Sequence, residues 1–276
     1  MTVGQSFPCL NGSWQNSPII RPRAKSWRDG SSKMLKQIDS VLVRLSDNEF
    51  KNLTRSTIPL VCYWKDDSQN KAAALLQSIG MEQFDKPTFE FAPEVAAIPN
   101  ARPSETDLMI TQSGMAVAIE AKWSEPRYET VNIWKRKTAR WSESLNHWFQ
   151  IIQPFSDAPS PPDSDTLVYQ MIHRCASACH RAGPNGIAAM VYQVFVDGSH
   201  KRDFYAGDLQ EFCRLIKPKS NLRIALQAVP LSANSEYRLL SDSLPDNPEC
   251  RPTIIRRAIK DRVLFDFGEP ALTLFH

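Results

Sequence analysis

A mixed α/β sheet covered by helices is the fold class that this sequence predicts, and three observations predict it. Before residue 81, apolar residues recur at helical spacing. Between Thr88 and Trp123 the pattern changes to alternation, the period of strands. From Thr130 onward, helical stretches alternate with two apolar runs of strand length, at 186–196 and 222–230. The resulting order is helix, three strands, helices, strand, helix, strand, and such an order buries a sheet beneath helices.

Taken in order, residues 1–32 are rich in Pro, Ser, Asn and Arg without periodicity and read as an irregular basic arm, with Trp14 and Trp27 to dock it. A helical extension follows at 33–67, in which Met34 to Leu45 carries a helical stripe. The wholly apolar TIPLVCYW at 57–64 reads as a short buried strand, with a helix turn as the alternative. The core spans 68–232. Ser68 is the expected N-cap of a helix closed by Gly80. TFEFAPEV at 88–95 alternates as a strand. Thr130 to Ile152 reads as one amphipathic helix, with Trp134, Trp141, Trp148 and Phe149 on its apolar side. The proline-rich 154–165 is a loop. In the helix at 166–181, Val168, Met171, Ile172, Cys175 and Cys179 form the buried stripe, while Gln170, Arg174 and Arg181 share another face. A helix at 208–216 joins the last two core strands, and the extension at 233–276 offers RVLFDF and ALTLF as edge strands.

The totals are those of an ordinary globular protein: 276 residues, 42% apolar and 23% charged. A net charge of +3 permits a nucleic-acid partner without requiring one. Basic residues are clustered, with six between Arg21 and Gln37 against Asp29 alone. Lys135, Arg136, Lys137 and Arg140 form a second cluster, and Arg251, Arg256, Arg257, Lys260 and Arg262 a third. The six cysteines are scattered through a chain too long to need stapling, as in a reduced cytosolic protein. The first residues lack the basic and apolar regions of a secretory signal, and the most apolar run, Ile187 to Val196, is about half of a bilayer span. The expectation is a soluble, cytoplasmic protein with no membrane partner.

The chemistry concentrates in PSETDLMITQSGMAVAIEAKW, residues 103–123. In its second strand, Met115, Val117, Ile119, Ala121 and Trp123 point to one face, and Ala116, Ala118, Glu120 and Lys122 to the other. If Ser113-Gly114 is a two-residue turn, Gln112 pairs with Met115, Asp107 falls opposite Glu120, and Glu105 falls opposite Lys122. Cross-strand Cβ atoms lie roughly 4.5–5.5 Å apart, so two carboxylates there repel unless a cation or a proton sits between them. A hard divalent ion, Mg²⁺ or Mn²⁺, resolves the conflict most simply.

The spacing Asp-(x12)-Glu-x-Lys on adjacent strands, with Pro-Ser-Glu-Thr ahead of the Asp, resembles the PD-(D/E)xK nuclease superfamily over about residues 70 to 230. The resemblance implies a restriction-endonuclease-like core (αβββαβ) flanked by helices, and a Mg²⁺-dependent deoxyribonuclease. It assigns Asp107, Glu120 and the Ala121 carbonyl to the metal, and Lys122 to the attacking water. Gln170 matches a supporting Gln on the following helix, with Arg174 where one version of the motif has Tyr, and Glu90 or Glu94 matches an accessory acid. Lys135, Arg136, Lys137, Arg140 and Arg174 are expected to contact DNA, double-stranded by preference. A homodimer or a partner protein fits the defence, restriction or mobile-element settings of such nucleases. The alternative is a catalytically inactive module, binding nucleic acid or protein, on the same scaffold.

Other features carry less. Glu-x-Lys alone arises roughly once by chance in a chain of this length, and Glu49-Phe50-Lys51 is another instance without strand context. Cys175 and Cys179 fall on the apolar stripe and read as core thiols rather than zinc ligands. His147 and His173 read as solvated or packed side chains, and no phosphate-binding GxxxxGK[ST] loop occurs.

Overall fold

The computed structural model describes residues 38–81, 87–95, 104–158, 162–198 and 201–276, and the expected arm with its basic run lies outside them. The described residues open with three helices: α1 (Ile38–Arg44), α2 (Thr57–Lys65) and α3 (Ser68–Ser78). The run at 57–64 is therefore helix, not strand. Every residue from Thr57 to Trp64 is buried, and a helix buried all round shows no amphipathic period to read. Pro59 sits in its first turn, where a missing N–H costs no helical bond. The residue before α3 is Asp67, left-handed at φ 56° and without a side-chain cap bond, so Ser68 opens the helix rather than capping it. Gly80 closes the turn after it at φ 70°.

Five short strands follow: β1 (Thr88–Phe91), β2 (Glu94–Val95), β3 (Ser104–Glu105), β4 (Leu108–Gln112) and β5 (Met115–Lys122). The alternating run at 88–95 breaks at Ala92, whose φ of 47° turns the chain out of the main sheet. The stretch expected as one helix forms α4 (Val131–Trp134) and α5 (Trp141–Ile152). Between them Lys135 reaches Asp165 at 2.6 Å and Lys137 pairs with Glu129, contacts that hold the segment as turns. Next come α6 (Tyr169–Ala182), β6 (Ile187–Val196), α7 (Lys201–Ile216) and β7 (Leu222–Ala233). The chain ends with α8 (Ser235–Ser243), α9 (Arg251–Asp261), β8 (Phe265–Phe267) and β9 (Ala271–Phe275), the last two being the expected edge strands.

The main sheet is mixed, ordered β1-β4-β5-β6-β7-β8, with β9 also pairing β7; β2 and β3 form a separate pair. Strands β1, β4 and β5 are antiparallel neighbours, β5, β6 and β7 run parallel, and β8 and β9 return antiparallel on β7. Two apolar layers cover it. Val117, Ile119, Ala121 and Trp123 pack with α2, α3 and α9 through residues such as Trp64, Leu75 and Ile255. Ala116 and Ala118 face Met171, Cys175 and Cys179 of α6. The parity assigned to β5 thus holds, and the small alanines let α6 approach the strand that carries Glu120 and Lys122.

Candidate active site

The hairpin takes the register that a two-residue turn dictates. Gln112 pairs with Met115 and the ladder runs back to Leu108 opposite Ile119, with Gly114 at φ 70° in the turn. One residue beyond the ladder, Asp107 follows across from Glu120, and its Oδ2 accepts the Ala121 amide at 2.8 Å. Glu105 does not continue the register to Lys122. The Ala92 amide bonds the Asp107 carbonyl at 3.1 Å and the Thr106 amide bonds Pro93 at 3.2 Å, which peels the chain away to pair Glu105 with Glu94.

Glu120 is the hub. Its Oε1 accepts Lys122 Nζ at 2.6 Å and Gln170 Nε2 at 2.6 Å, and its Oε2 accepts Arg174 Nε. Glu120 and Lys122 are each 2% exposed and Arg174 5%. One turn of α6 separates Gln170 from Arg174, so both lie on the face that meets β5. Arg174 also meets His173 Nδ1 at 3.1 Å, and Lys122 Nζ lies 4.2 Å from the centre of the Tyr128 ring.

Two carboxylates and two cations this close set one another's protonation. Burial works against charge on Glu120, but Arg174 and Lys122 outweigh it and hold its carboxyl below the ordinary range. Asp107 is pushed up to about 7, first by burial and then by Glu120, against the pull of Arg174 and Lys122. Burial, Arg174 and Lys122 all drive His173 well below its usual value, so it stays neutral. It packs between Trp148 and Tyr169.

Gln170 thus supports Glu120 as expected. Arg174 belongs to this cluster rather than to an open basic surface. The cluster Lys135, Arg136, Lys137 and Arg140 lies outside it: Lys135 and Lys137 are paired as above, Arg140 with Glu143, and Arg136 bonds Asn132 at 3.4 Å. Glu90 shares the parity of Asp107 but is drawn off by Arg44 at 3.2 Å and Arg181 at 2.7 Å. Glu94 lies on β2, and its side chain is outside the described atoms. Cys175 and Cys179 are buried thiols of the core, and burial pushes Cys179 well up.

Sequence reasoning missed Tyr128, Tyr192 and Tyr205, whereas His173, read as a solvated or packed side chain, is packed. Tyr192 is the Cα partner of Glu120 across the parallel β5–β6 ladder, and its ring lies 5.9 Å from that of Tyr205 on α7. Among the described residues, the buried polar atoms without a partner are Gln170 Oε1, Tyr192 Oη, Tyr205 Oη and Thr106 Oγ1. The first belongs to the residue that grips Glu120 and the second to its neighbour in the sheet. Polar groups left unmatched in a core are rare, and these two flank the same carboxylate.

Among the described residues, no group of three or more His, Cys, Asp or Glu is placed to hold a metal ion. Two carboxylates and a strand-end carbonyl still suit Mg²⁺, which keeps several waters and needs only one or two acidic ligands. The orphaned acceptor Gln170 Oε1 beside Glu120 fits that reading, because a cation or its water supplies what this atom lacks. Among the described residues, no helix is long and apolar enough to cross a membrane. Residues 21–239 match the model of a family, DUF6946, described as a domain of unknown function. No curated protein and no solved structure matches the chain.

Proposed function

The chain belongs to the DUF6946 family, and from its own residues we propose that it is a divalent-metal-dependent nuclease hydrolysing DNA phosphodiester bonds on a restriction-endonuclease-like core. One observation carries the reading: Asp107 is anchored on the Ala121 amide at the open end of the β4–β5 hairpin, across from Glu120, with Lys122 and Gln170 on that same carboxylate. Asp107 and Glu120 are the ligands for Mg²⁺ or Mn²⁺. Ala121 turns its carbonyl to the side of its amide, as strand residues do, and is the third. The ion, when bound, polarises a phosphoryl oxygen and makes a bound water more acidic. Lys122 holds a fixed positive charge beside Glu120, where it orients the attacking water and offsets charge gathering on the phosphorus oxygens. Gln170 and Arg174 fix the Glu120 carboxylate from α6, so that it is in place before substrate arrives.

A second reading has its own observation. Both oxygens of Glu120 already have donors, and Lys122 with Arg174 balances the charge of Glu120 with Asp107. A cluster so closed fits a scaffold that binds DNA without cutting it. Mn²⁺ titrated into plasmid, linear and single-stranded DNA separates the two. Cleavage that EDTA stops, and that Asp107→Asn and Lys122→Ala abolish, supports the nuclease. DNA binding without turnover at any Mn²⁺ concentration rejects it in favour of the inactive module. Asp107→Asn is the cleaner variant, since losing the charge of Glu120 strands two buried cations and costs on the order of 3–5 kcal/mol of stability.

A further inference from the structure

Among the described residues three aromatic rings of Phe, Tyr or Trp are more than a third exposed: Tyr128 at 38%, Trp141 at 37% and Phe204 at 36%. One of them adjoins the cluster around Glu120, and a second connects to it through two further rings. The Tyr128 ring sits 4.2 Å from Lys122 Nζ. Phe204 packs at 4.3 Å on Tyr205, whose ring in turn faces Tyr192 beside Glu120. Behind Tyr128, at 6.4 Å, stands Tyr169, with Trp134 stacked on it at 5.1 Å and an interplanar angle of 7°. Beyond Trp134 come Lys135, 5.7 Å from the centre of the Trp141 ring, and the exposed Ile133 at 44%. A row of rings therefore leads outward from the cation of the proposed site, with Arg136 and Lys137 exposed along the same segment.

A duplex offers such a row nothing to bind. Its bases are stacked inside, and its outer surface is phosphate, sugar and groove edges, which call for cations and hydrogen-bonding groups. Unpaired bases have free π-faces, and aromatic side chains interleaved with Lys and Arg are what single strands stack on. Resting on the nuclease reading for the chemistry, we propose that the substrate is single-stranded nucleic acid, with an unpaired base laid on Tyr128 and the strand continuing to Trp141, while Trp134, held between Tyr169 and Trp148, backs the row. Tyr128 is a positioning residue: its ring stands beside Lys122, so a base stacked there sets the adjoining phosphate at the Asp107–Glu120 pair. This reverses the preference for duplex that the sequence suggests.

The test uses the full chain and labelled oligonucleotides of about 16 nucleotides, single-stranded and duplexed, with binding read by anisotropy in EDTA and cleavage read separately in Mn²⁺. In EDTA the single strand binds more tightly than the duplex. Tyr128→Ala weakens single-strand binding by about tenfold, within the range measured for base–aromatic stacking, and leaves duplex binding unchanged. Tyr128→Phe, which keeps the ring, restores it. Duplex bound as tightly as single strand, or equal losses on both in Tyr128→Ala, overturns the proposal. Cutting of duplex but not of single strand also overturns it while leaving the nuclease reading intact. Cutting of neither, with the single-strand preference and the Tyr128 effect present in EDTA, removes the nuclease and keeps the binding surface.

Discussion

Asp107 and Glu120 show how two like groups in one site are pushed apart. Glu120 has two cations on it and stays ionised, so its contribution to stability is lost only as pH falls through its lowered value. Asp107 carries the opposite sign. Its value of about 7 lies above that of the unfolded chain, so the folded state prefers the protonated acid. Its stabilisation is complete below the unfolded value and is lost as pH rises through about 7. Asp107→Asn, a neutral isostere, escapes this penalty. In metal-free buffer the variant and the wild type should melt together only below about pH 4, and the gap should widen from there to its full size above about pH 7, where the variant is the more stable by a few kcal/mol and several degrees. Mg²⁺ added at the higher pH should raise the wild type toward the variant and leave the variant unmoved. A melting difference that is flat across this range would show that Asp107 ionises as an ordinary surface acid does. Glu120 and Lys122 were legible in the sequence because charges inside an apolar strand stand out. Tyr128 was not, since a lone aromatic in a loop carries no period.

At the scale of elements, the site depends on how the β4–β5 hairpin meets β6. The Ile187 amide donates to the Gly114 carbonyl at 2.9 Å, which sets β6 in register with β5 and places Tyr192 beside Glu120. Gly186 makes that approach possible, for a Cβ on it would lie 2.3 Å from the Ala182 carbonyl oxygen and 2.4 Å from that of Gly114. Both obstacles are backbone and cannot swing aside. Gly114 differs: at φ 70° it needs a left-handed conformation, but a Cβ there meets nothing within 4 Å. Gly186→Ala should therefore cost on the order of 2–4 kcal/mol and Gly114→Ala about 1 kcal/mol, read from urea unfolding. Equal costs would mean that β6 can shift freely against the turn, and the register argument would fall. The hairpin was readable because Ser-Gly between alternating runs has few geometries open to it. The helix α2 was not, because burial of all of Thr57 to Trp64 erased the period by which helices are recognised. The break between α4 and α5 escaped notice for another reason: no Gly or Pro marks it between 135 and 140, and one of its contacts, Lys135 to Asp165, spans thirty residues of chain.

Across the whole molecule, the two ends of the described chain close one layer of the core together. Helix α9 packs against α1 and α2, with Ile255 and Ile259 buried beside Val41, Leu42 and Trp64. Polar contacts reinforce it: Lys65 Nζ caps the Ile259 and Arg262 carbonyls at 3.0 and 2.7 Å, and Arg256 reaches the Leu42 and Leu45 carbonyls. Beyond α9, β8 and β9 occupy the outer edge of β7, with β9 covering Ile224 to Ala228. That edge belongs to the strand next to β6, two places from the β5 that carries Glu120. Deleting residues 265–276 should expose the Ile224–Ala228 edge of β7, a template for pairing with other chains. The deleted protein is expected to lose its cooperative thermal transition and to sediment as aggregates, whereas Tyr128→Ala keeps a cooperative transition without aggregation, and Asp107→Asn does so with a higher midpoint near neutral pH. A monomeric, cooperatively melting protein after the deletion would mean that the segment decorates the sheet rather than completing it, and that a smaller core suffices to hold the site.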